Sequence, residues 1–429
     1  MTPLAAMPFP ETSFALTLGL LLVAPLAIAG LALINTGLGR SRSAMQSLLG
    51  SLVVFSTAVI AFALVGSAIA AGTSSDHVFH LGGKAWNWAG SGSLFLADFG
   101  TAGPRAQLSV LFELLSVALV VLIPWGSGAD RLRLPAGALI AAIFGAVIFP
   151  LFAHWTWGGG WLAQVGVNFG QGSGLLDGGG AAAIHGLGGV SALVLVWIAG
   201  PRKGKFPREG LSTAMPGHNV VYVLLGCLIA LVGWLAWNMA GSLLWLNAAP
   251  AALAGTAVNT LLSAAAALVA AFSVTRIRFG KPDASLCANG WLAGLVTSSA
   301  CAAVVSPLAA IFTGLVAGIL TPLLVELFEL ALSIDDPSGA ISVHGASGLW
   351  GLAAAGIFAP QSGQFVAQLI GVSTLLGLML PLVYLVFWLV NRVLVFRVDP
   401  DGERLGMDLH ELGGNAYPEF VVHRDESYR

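Results

Sequence analysis

The sequence predicts an all-α polytopic membrane protein with eleven transmembrane helices, arranged as two inverted five-helix repeats plus one extra helix. Three observations predict it. First, 57% of the 429 residues are hydrophobic and only 9% are charged, against about 25% charged in a soluble globular protein. Such a chain cannot cover a water-facing surface, so most of its surface faces lipid. Second, eleven apolar stretches reach the length of about 20 residues that a helix needs to cross the hydrocarbon core. Third, one thirteen-residue pattern, D-x-x-G-A-x-x-[IV]-H-G-x-x-G, is written twice, from Asp177 and again from Asp336.

The apolar stretches run over residues 13–36, 44–72, 106–126, 134–154, 178–199, 218–239, 249–274, 284–304, 306–331, 339–359 and 367–397. They are long and continuous, whereas the strands of a membrane β-barrel are short and alternate. Together they make one membrane domain, residues 1–397, followed by a tail, 398–429. The opening "MTPLAAMPFPETSF" has no basic n-region, so the first stretch is expected to be a retained span and not a cleaved signal peptide.

Lys and Arg set the orientation. Arg40, Arg42, Arg131, Arg133, Arg202, Lys203, Lys205, Arg208, Arg276, Arg278 and Lys281 fall in alternate loops, while the intervening loops hold only Lys84 and Arg105. Placing the basic loops in the cytoplasm puts the N-terminus outside. The tail, with Arg404, Arg424 and Arg429, then lies inside. The loop 73–104 falls outside, and its His77 and His80 read as solvent-exposed loop residues.

Other function classes find little support. The net charge is −2 and no dense basic run exists, so nucleic acid is not an expected partner. Cys227, Cys287 and Cys301 lie in apolar runs without CxxC spacing and read as small buried hydrophobes. No nucleophile–base pair, P-loop or redox motif is written in the chain, so neither an enzyme nor a cofactor is expected.

The repeated pattern opens the fifth and the tenth stretch. Five spans separate the copies, an odd number, so they face opposite sides of the membrane, as in an inverted-topology repeat. Each aspartate can cap a helix N-terminus. Eight residues later a helix has risen about 12 Å, which brings His185 and His344 to mid-bilayer from opposite sides. The small residues around them allow helices to approach closely. Ionisable groups inside a membrane are functional candidates. Two histidines without a third ligand do not make a metal site. A neutral imidazole pair can pass a proton, or hydrogen-bond a small polar molecule in a dry pore.

Four further stretches, "NTGLGRSRSAMQ", "AHWTWGGGWL", "PGHNVVYVLLGCLIALVGWLAWNMAGS" and "GKPDASLCANGWLAGLVTSSAC", join the second copy in its setting, "DDPSGAISVHGASGLWGLAAAGIFA". In this order, from about residue 13 to 420, the chain resembles the ammonium transporter (Amt/Rh) family. The resemblance implies a homotrimer of eleven-helix subunits in the plasma (inner) membrane, each with its own hydrophobic pore. It implies twin pore histidines, His185 and His344, and a cation-recruitment site with Trp157 in the vestibule and Asp177 behind it. Phe112 falls one turn before the first gate residue.

The sequence departs from the family at that gate. The first gate phenylalanine falls at Ser116 and the second at Trp237, and Glu113 stands where glutamine is common. "NMAGS" is one residue longer than usual, so the recruitment serine is either a displaced Ser242 or Gly241, without a side chain. An insertion, "NFGQGSG", precedes Asp177. Trp157 and Trp237 could wall an aromatic cage with Glu113 supplying charge, which suits methylated ammonium. Cargo is therefore ammonium or a methylated or larger alkylammonium. A neutral-solute channel and an ammonium sensor of the same fold are the other classes left open. The tail resembles the family's cytoplasmic C-terminus, but His410 and Leu412 to Gly414 depart from the motif that contacts a PII-type regulator, so an ordered tail packed under the protein is expected.

Overall fold

The computed structural model describes residues 9–72, 78–209 and 212–417. His77, Arg424 and Arg429 lie outside the described residues. Among the described residues ten helical segments are long and apolar enough to cross a membrane: α1 (Glu11–Leu38), α2 (Ser41–Ala70), α3 (Pro104–Ser127), α4 (Leu134–Phe169), α5 (Ala181–Ala199), α6 (Val220–Trp245), α7 (Pro250–Phe279), α9 (Pro307–Ala331), α10 (Ile341–Phe358) and α11 (Gln364–Val393). Between α7 and α9 runs α8 (Ala284–Cys301), an 18-residue helix.

The expected count of eleven therefore meets ten lipid-length apolar helices and one of a different kind. Asn289, Thr297, Ser298 and Ser299 are all buried in α8. A helix wrapped by other helices is not selected for contact with lipid, so it can carry polar side chains that find partners inside the protein.

The two halves pack as an inverted repeat. α1 lies against α6, its counterpart five spans on. A methyl group on Gly30 would meet the Ala230 nitrogen and the Gly226 oxygen at 2.6 Å, and one on Gly233 would meet the Ala27 nitrogen at 2.0 Å. α5 crosses α10 in the same way: a methyl on Gly189 would fall 2.2 Å from the Gly345 Cα. Glycine at these positions lets backbones touch, the usual device where helices associate without a hydrophobic driving force.

The basic loops gather on one side. Arg202 makes ion pairs with Asp130 at 3.0 Å and with Asp335 at 2.9 Å, and Arg131 approaches Asp335 at 3.5 Å. Arg40 lies 4.0 Å from Asp130. Burial opposes ionisation of Asp335, but Arg131 and Arg202 outweigh it and hold the carboxyl below its usual range.

The tail docks on the same side through two short helices, α12 (Pro400–Leu405) and α13 (Met407–Leu412). Asp408 accepts from the Met45 and Gln46 N–H groups at 3.0 and 2.7 Å, and Glu411 accepts from Leu134 N–H at 2.9 Å. Two tail carboxylates thus cap the first turns of α2 and α4, where the helix dipole favours negative charge. On the far side a hairpin of β1 (Val78–Leu81) and β2 (Lys84–Asn87) covers the surface. His80 is exposed on β1, as the sequence suggested.

Candidate functional site: a histidine pair below an aromatic cluster

Both copies of the thirteen-residue pattern fold alike. The shared glycine of D-x-x-G takes a left-handed backbone, φ 85° at Gly180 and 69° at Gly339, which a side chain disfavours. The helix then opens with a π-helical turn, Ala181–Gly186 in α5 and Ile341–Ala346 in α10. The aspartates reach over this turn. Asp177 Oδ2 accepts from Ala182 and Ala183 N–H at 3.1 and 2.9 Å, and Asp336 Oδ2 accepts from Ile341 N–H at 2.8 Å. The expectation that Asp177 sits at the helix N-terminus needs this correction. It caps from four residues before the helix, because Gly178–Gly180 form a non-helical step. His185 accordingly stands at the end of the first turn of α5.

Glycines line the crossing of the two repeat copies. Gly189 of the first copy abuts Gly345 of the second, and a methyl on Gly348 of the second would meet the Ala181 oxygen of the first at 2.7 Å. This contact brings His185 and His344 together. Their Nδ1 atoms lie 3.1 Å apart, with ring centroids 5.1 Å apart and ring planes inclined by 22°. Both side chains are buried. The indole of Trp234 stacks on His185 at 5.0 Å and 14°. The pair hydrogen-bonds through Nδ1, one imidazole donating and the other accepting. One Nε2 then remains a donor and the other an acceptor. Such a pair can exchange its tautomers by moving a proton.

On the far side, beyond the pair, the aromatic residues differ from the expected cage. Trp157 and Trp237 do not touch. Phe112 lies between them, 5.3 Å from Trp157 and 5.2 Å from Trp237, while Trp157 stacks on Trp245 at 5.2 Å and 7°. Phe112 also meets Trp245 edge-on at 5.7 Å. The cluster thus holds four rings, with Trp245 a member the sequence reading missed. Trp237 and Trp245 are eight residues apart on α6, a little over two turns, so the spacing places both on one broad face of the helix. Only the fold shows that Trp157 meets it.

Trp157 is tied to the repeat, because its Nε1–H donates to the Asp177 carbonyl at 2.7 Å. Asp177 therefore holds the ring through its backbone and the helix through its side chain. The inserted residues ahead of it are gripped by α11. Gln364 accepts from Ser173 N–H at 3.0 Å and donates to the Gly174 carbonyl at 2.8 Å, and Gln368 does the same with both groups of Leu176 at 2.8 and 2.9 Å.

Ser116 is fully buried, and its hydroxyl donates back to the Phe112 carbonyl at 2.7 Å. Glu113 is buried on the same helix, without an ion-pair partner among the described residues, and is not one of the ring contacts. Gly241 packs its backbone on Gly178, where a methyl group would fall 2.0 Å from the carbonyl oxygen. Ser242 donates to the Met239 carbonyl at 2.8 Å and lines a small cavity beside the ring cluster, with Gly178 and Asn238. The longer "NMAGS" thus places Gly241 against the Asp177 loop and Ser242 at this cavity.

An inverted-repeat membrane protein with a buried polar pair where its two halves cross is a transporter or channel for a small solute. The profile of the Ammonium Transporter Family matches residues 14–417, and the chain belongs to that family. It is similar to Ammonium transporter Amt2 of Archaeoglobus fulgidus, 34% identical over 93% of this chain and 86% of that one. It is also similar to Ammonium transporter Amt2 of Haloferax mediterranei, 30% identical over 91% of this chain and 87% of that one. Among solved structures, one titled Sensor Amt Protein superposes with a TM-score of 0.84 at 26% identity, covering 93% of this chain and 98% of that one. Candida albicans Mep2 shares the fold, with a TM-score of 0.79 at 22% identity over 97% and 93%.

Proposed function

We propose that this chain carries ammonium across the membrane along the axis from the ring cluster to the histidine pair, with His185 and His344 handling ammonia and its proton. The observation that supports this most is the 3.1 Å contact between the Nδ1 atoms of the two repeat copies. It leaves one donor and one acceptor nitrogen to a passing solute. The four rings of Phe112, Trp157, Trp237 and Trp245 would draw a cation by its attraction to ring faces, with Asp177 behind Trp157. Glu113, Ser116 and Ser242 complete the proposed recruitment and gate region.

The remaining parts of the reading follow from the sequence pattern and the family. The protein is a homotrimer in the plasma (inner) membrane. Its basic loops and tail face the cytoplasm, and its N-terminus is outside. The tail caps α2 and α4 through Asp408 and Glu411, which supports an ordered tail over a docking segment for a PII-type regulator.

Two observations keep other readings in view. Ser116 in place of a gate ring favours tolerance of methylated amines. The 26% identity to a protein titled Sensor Amt Protein favours a sensing role. One experiment separates them. Purified protein in liposomes is challenged with ammonium, methylammonium and trimethylammonium while current and internal pH are recorded. Ammonium-driven flux above that of empty liposomes supports the proposal. Larger flux with a methylated amine would replace the cargo, and ammonium binding without any flux would replace transport by sensing.

A further inference from the structure

Beside the ring cluster lies a second polar feature, of which the transport reading uses only Ser242. A cavity of about 10 Å³, room for one water-sized centre, sits between the Asp177 loop, α6, α7 and the end of α8. Asn238, Ser242, Thr256, Ser298, Ser299 and the backbone of Gly179 line it.

The hydrogen-bond inventory of this wall is one-sided. Asn238 donates both of its amide hydrogens, to Thr260 Oγ1 at 3.0 Å and to Ser298 Oγ at 2.9 Å. This fixes the orientation of the amide. Its Oδ1 is buried without a protein partner and faces Gly179, where a methyl group would fall 2.2 Å from it. The four hydroxyls have also given away their hydrogens, Ser242 to Met239 O at 2.8 Å, Thr256 to Ala252 O at 3.4 Å, Ser298 to Leu295 O at 2.6 Å and Ser299 to Leu295 O at 3.3 Å. What remains towards the cavity is lone pairs. The Gly179 N–H is turned away as well, bonded to Ser299 O at 2.7 Å.

A buried wall of acceptors calls for a donor or a cation. Water meets it with two hydrogens and leaves its own lone pairs unmatched. An ammonium ion has the same size, donates in four directions and accepts nothing. The next residue before Gly178 is Asp177, whose Oδ1 is buried without a protein partner, so another unmatched acceptor stands close in the chain. The cavity is also wired to the pore. Ser299 Oγ accepts from Trp234 Nε1 at 2.9 Å, and Trp234 is the ring stacked on His185.

We propose that this cavity is a monovalent-cation site, separate from the ring cluster, which takes one dehydrated ammonium ion through Asn238 Oδ1 and the hydroxyls of Ser242 and Thr256. The identity of the ion rests on the ammonium reading above. Occupancy would press on Ser299 and Trp234, so the site reports ammonium to His185 without lying on the pore axis.

The test is anomalous diffraction from crystals grown with rubidium, an alkali cation of ammonium's size, in wild type, Asn238→Leu and Asn238→Asp. An anomalous peak beside Asn238 Oδ1 is expected in wild type, displaced by added ammonium. It should be lost in Asn238→Leu and strengthened in Asn238→Asp, which adds a charge to the same atom and keeps the test alive if the leucine variant fails to fold. Density in the cavity that carries no anomalous signal, or that ammonium does not displace, identifies a water and overturns the proposal. Failure of the transport reading shows separately, as liposomes without ammonium flux while the rubidium peak persists.

Discussion

Gly189 and Gly345 touch backbone to backbone at the crossing of α5 and α10, and the contact is one-sided. A methyl group on Gly189 would fall 2.2 Å from the Gly345 Cα and nitrogen, whereas one on Gly345 would stay 3.5 Å from the Gly189 Cα. The two positions are not equivalents in the repeat, where Gly189 matches Gly348 and Gly345 matches Gly186, and they differ in tolerance. Each is four residues after, or one residue after, a pore histidine, so the crossing sets where the imidazoles meet.

Gly189→Ala is therefore expected to push the His344 turn away and to abolish most transport, with overpacking costing about 1–3 kcal/mol. Gly345→Ala is expected to fold and to transport far better. Thermal unfolding in detergent and liposome flux on the two variants check this. Equal tolerance at both positions would show that the backbone approach does not position the pair.

Asp177 and Asp336 each cap a π-helical turn across a left-handed glycine. Replacing either by alanine should cost about 0.5–2 kcal/mol. Asp177→Asn should keep more transport than Asp177→Ala, since an amide oxygen still accepts from Ala182 and Ala183. Equal loss in both would mean that the charge itself is required.

Much of this was legible in the sequence, and the reasons are physical. The alternation of basic loops holds, because Arg40, Arg131 and Arg202 gather on one side. The meeting of His185 and His344 follows from the inverted repeat, which needs only the parity of the spans between the copies. The cap geometry was not legible, because a pattern gives spacing and not the dihedral angle of Gly180. Nor was α8 recognisable as different from its neighbours, since burial on all sides is a tertiary property. The ring cluster was half legible. Residues carried over from a family locate Trp157 and Phe112, but Trp245 joins them only through the contact between α4 and α6. The extra residue in "NMAGS" sets Gly241 against Gly178 and Ser242 at the cavity, whereas sequence offered Ser242 and Gly241 as equals.

Asp335 ties the α10 half to Arg202 and Arg131 of the other half. Its carboxyl is held below the usual range, since the two arginines outweigh the effect of burial. A depressed folded-state value contributes stability above the unfolded value, about pH 4, and that contribution is lost as pH falls through the folded value. Asp335→Asn should cost about 3 kcal/mol at neutral pH, the lower end for a broken buried pair because Asp130 still holds Arg202. Its unfolding temperature should also depend less on pH below about pH 4 than that of the wild type. Parallel pH slopes for the two proteins would contradict this.

The four-ring cluster predicts selectivity. Cation–π contacts run from about 0.5 to 2 kcal/mol, so Trp245→Ala and Trp237→Ala should weaken methylammonium uptake by roughly 2–30-fold and ammonium by less, because ammonium is the more strongly hydrated ion and loses more hydration on entry. Ser116→Phe should shift the ratio towards ammonium. Competition uptake with both amines measures it, and an unchanged ratio in all three variants would remove the rings from selectivity.

The histidine pair is the centre of the proposed transport path. The most direct measurement is ammonium-evoked current and internal pH in liposomes holding wild type, His185→Ala or His344→Ala, each first shown to fold by its unfolding temperature. We expect both variants to fold and to lose or uncouple ammonium flux, so that current, selectivity or proton movement changes in each. Two variants that match the wild type in rate, selectivity and current would contradict a proton-handling role for His185 and His344.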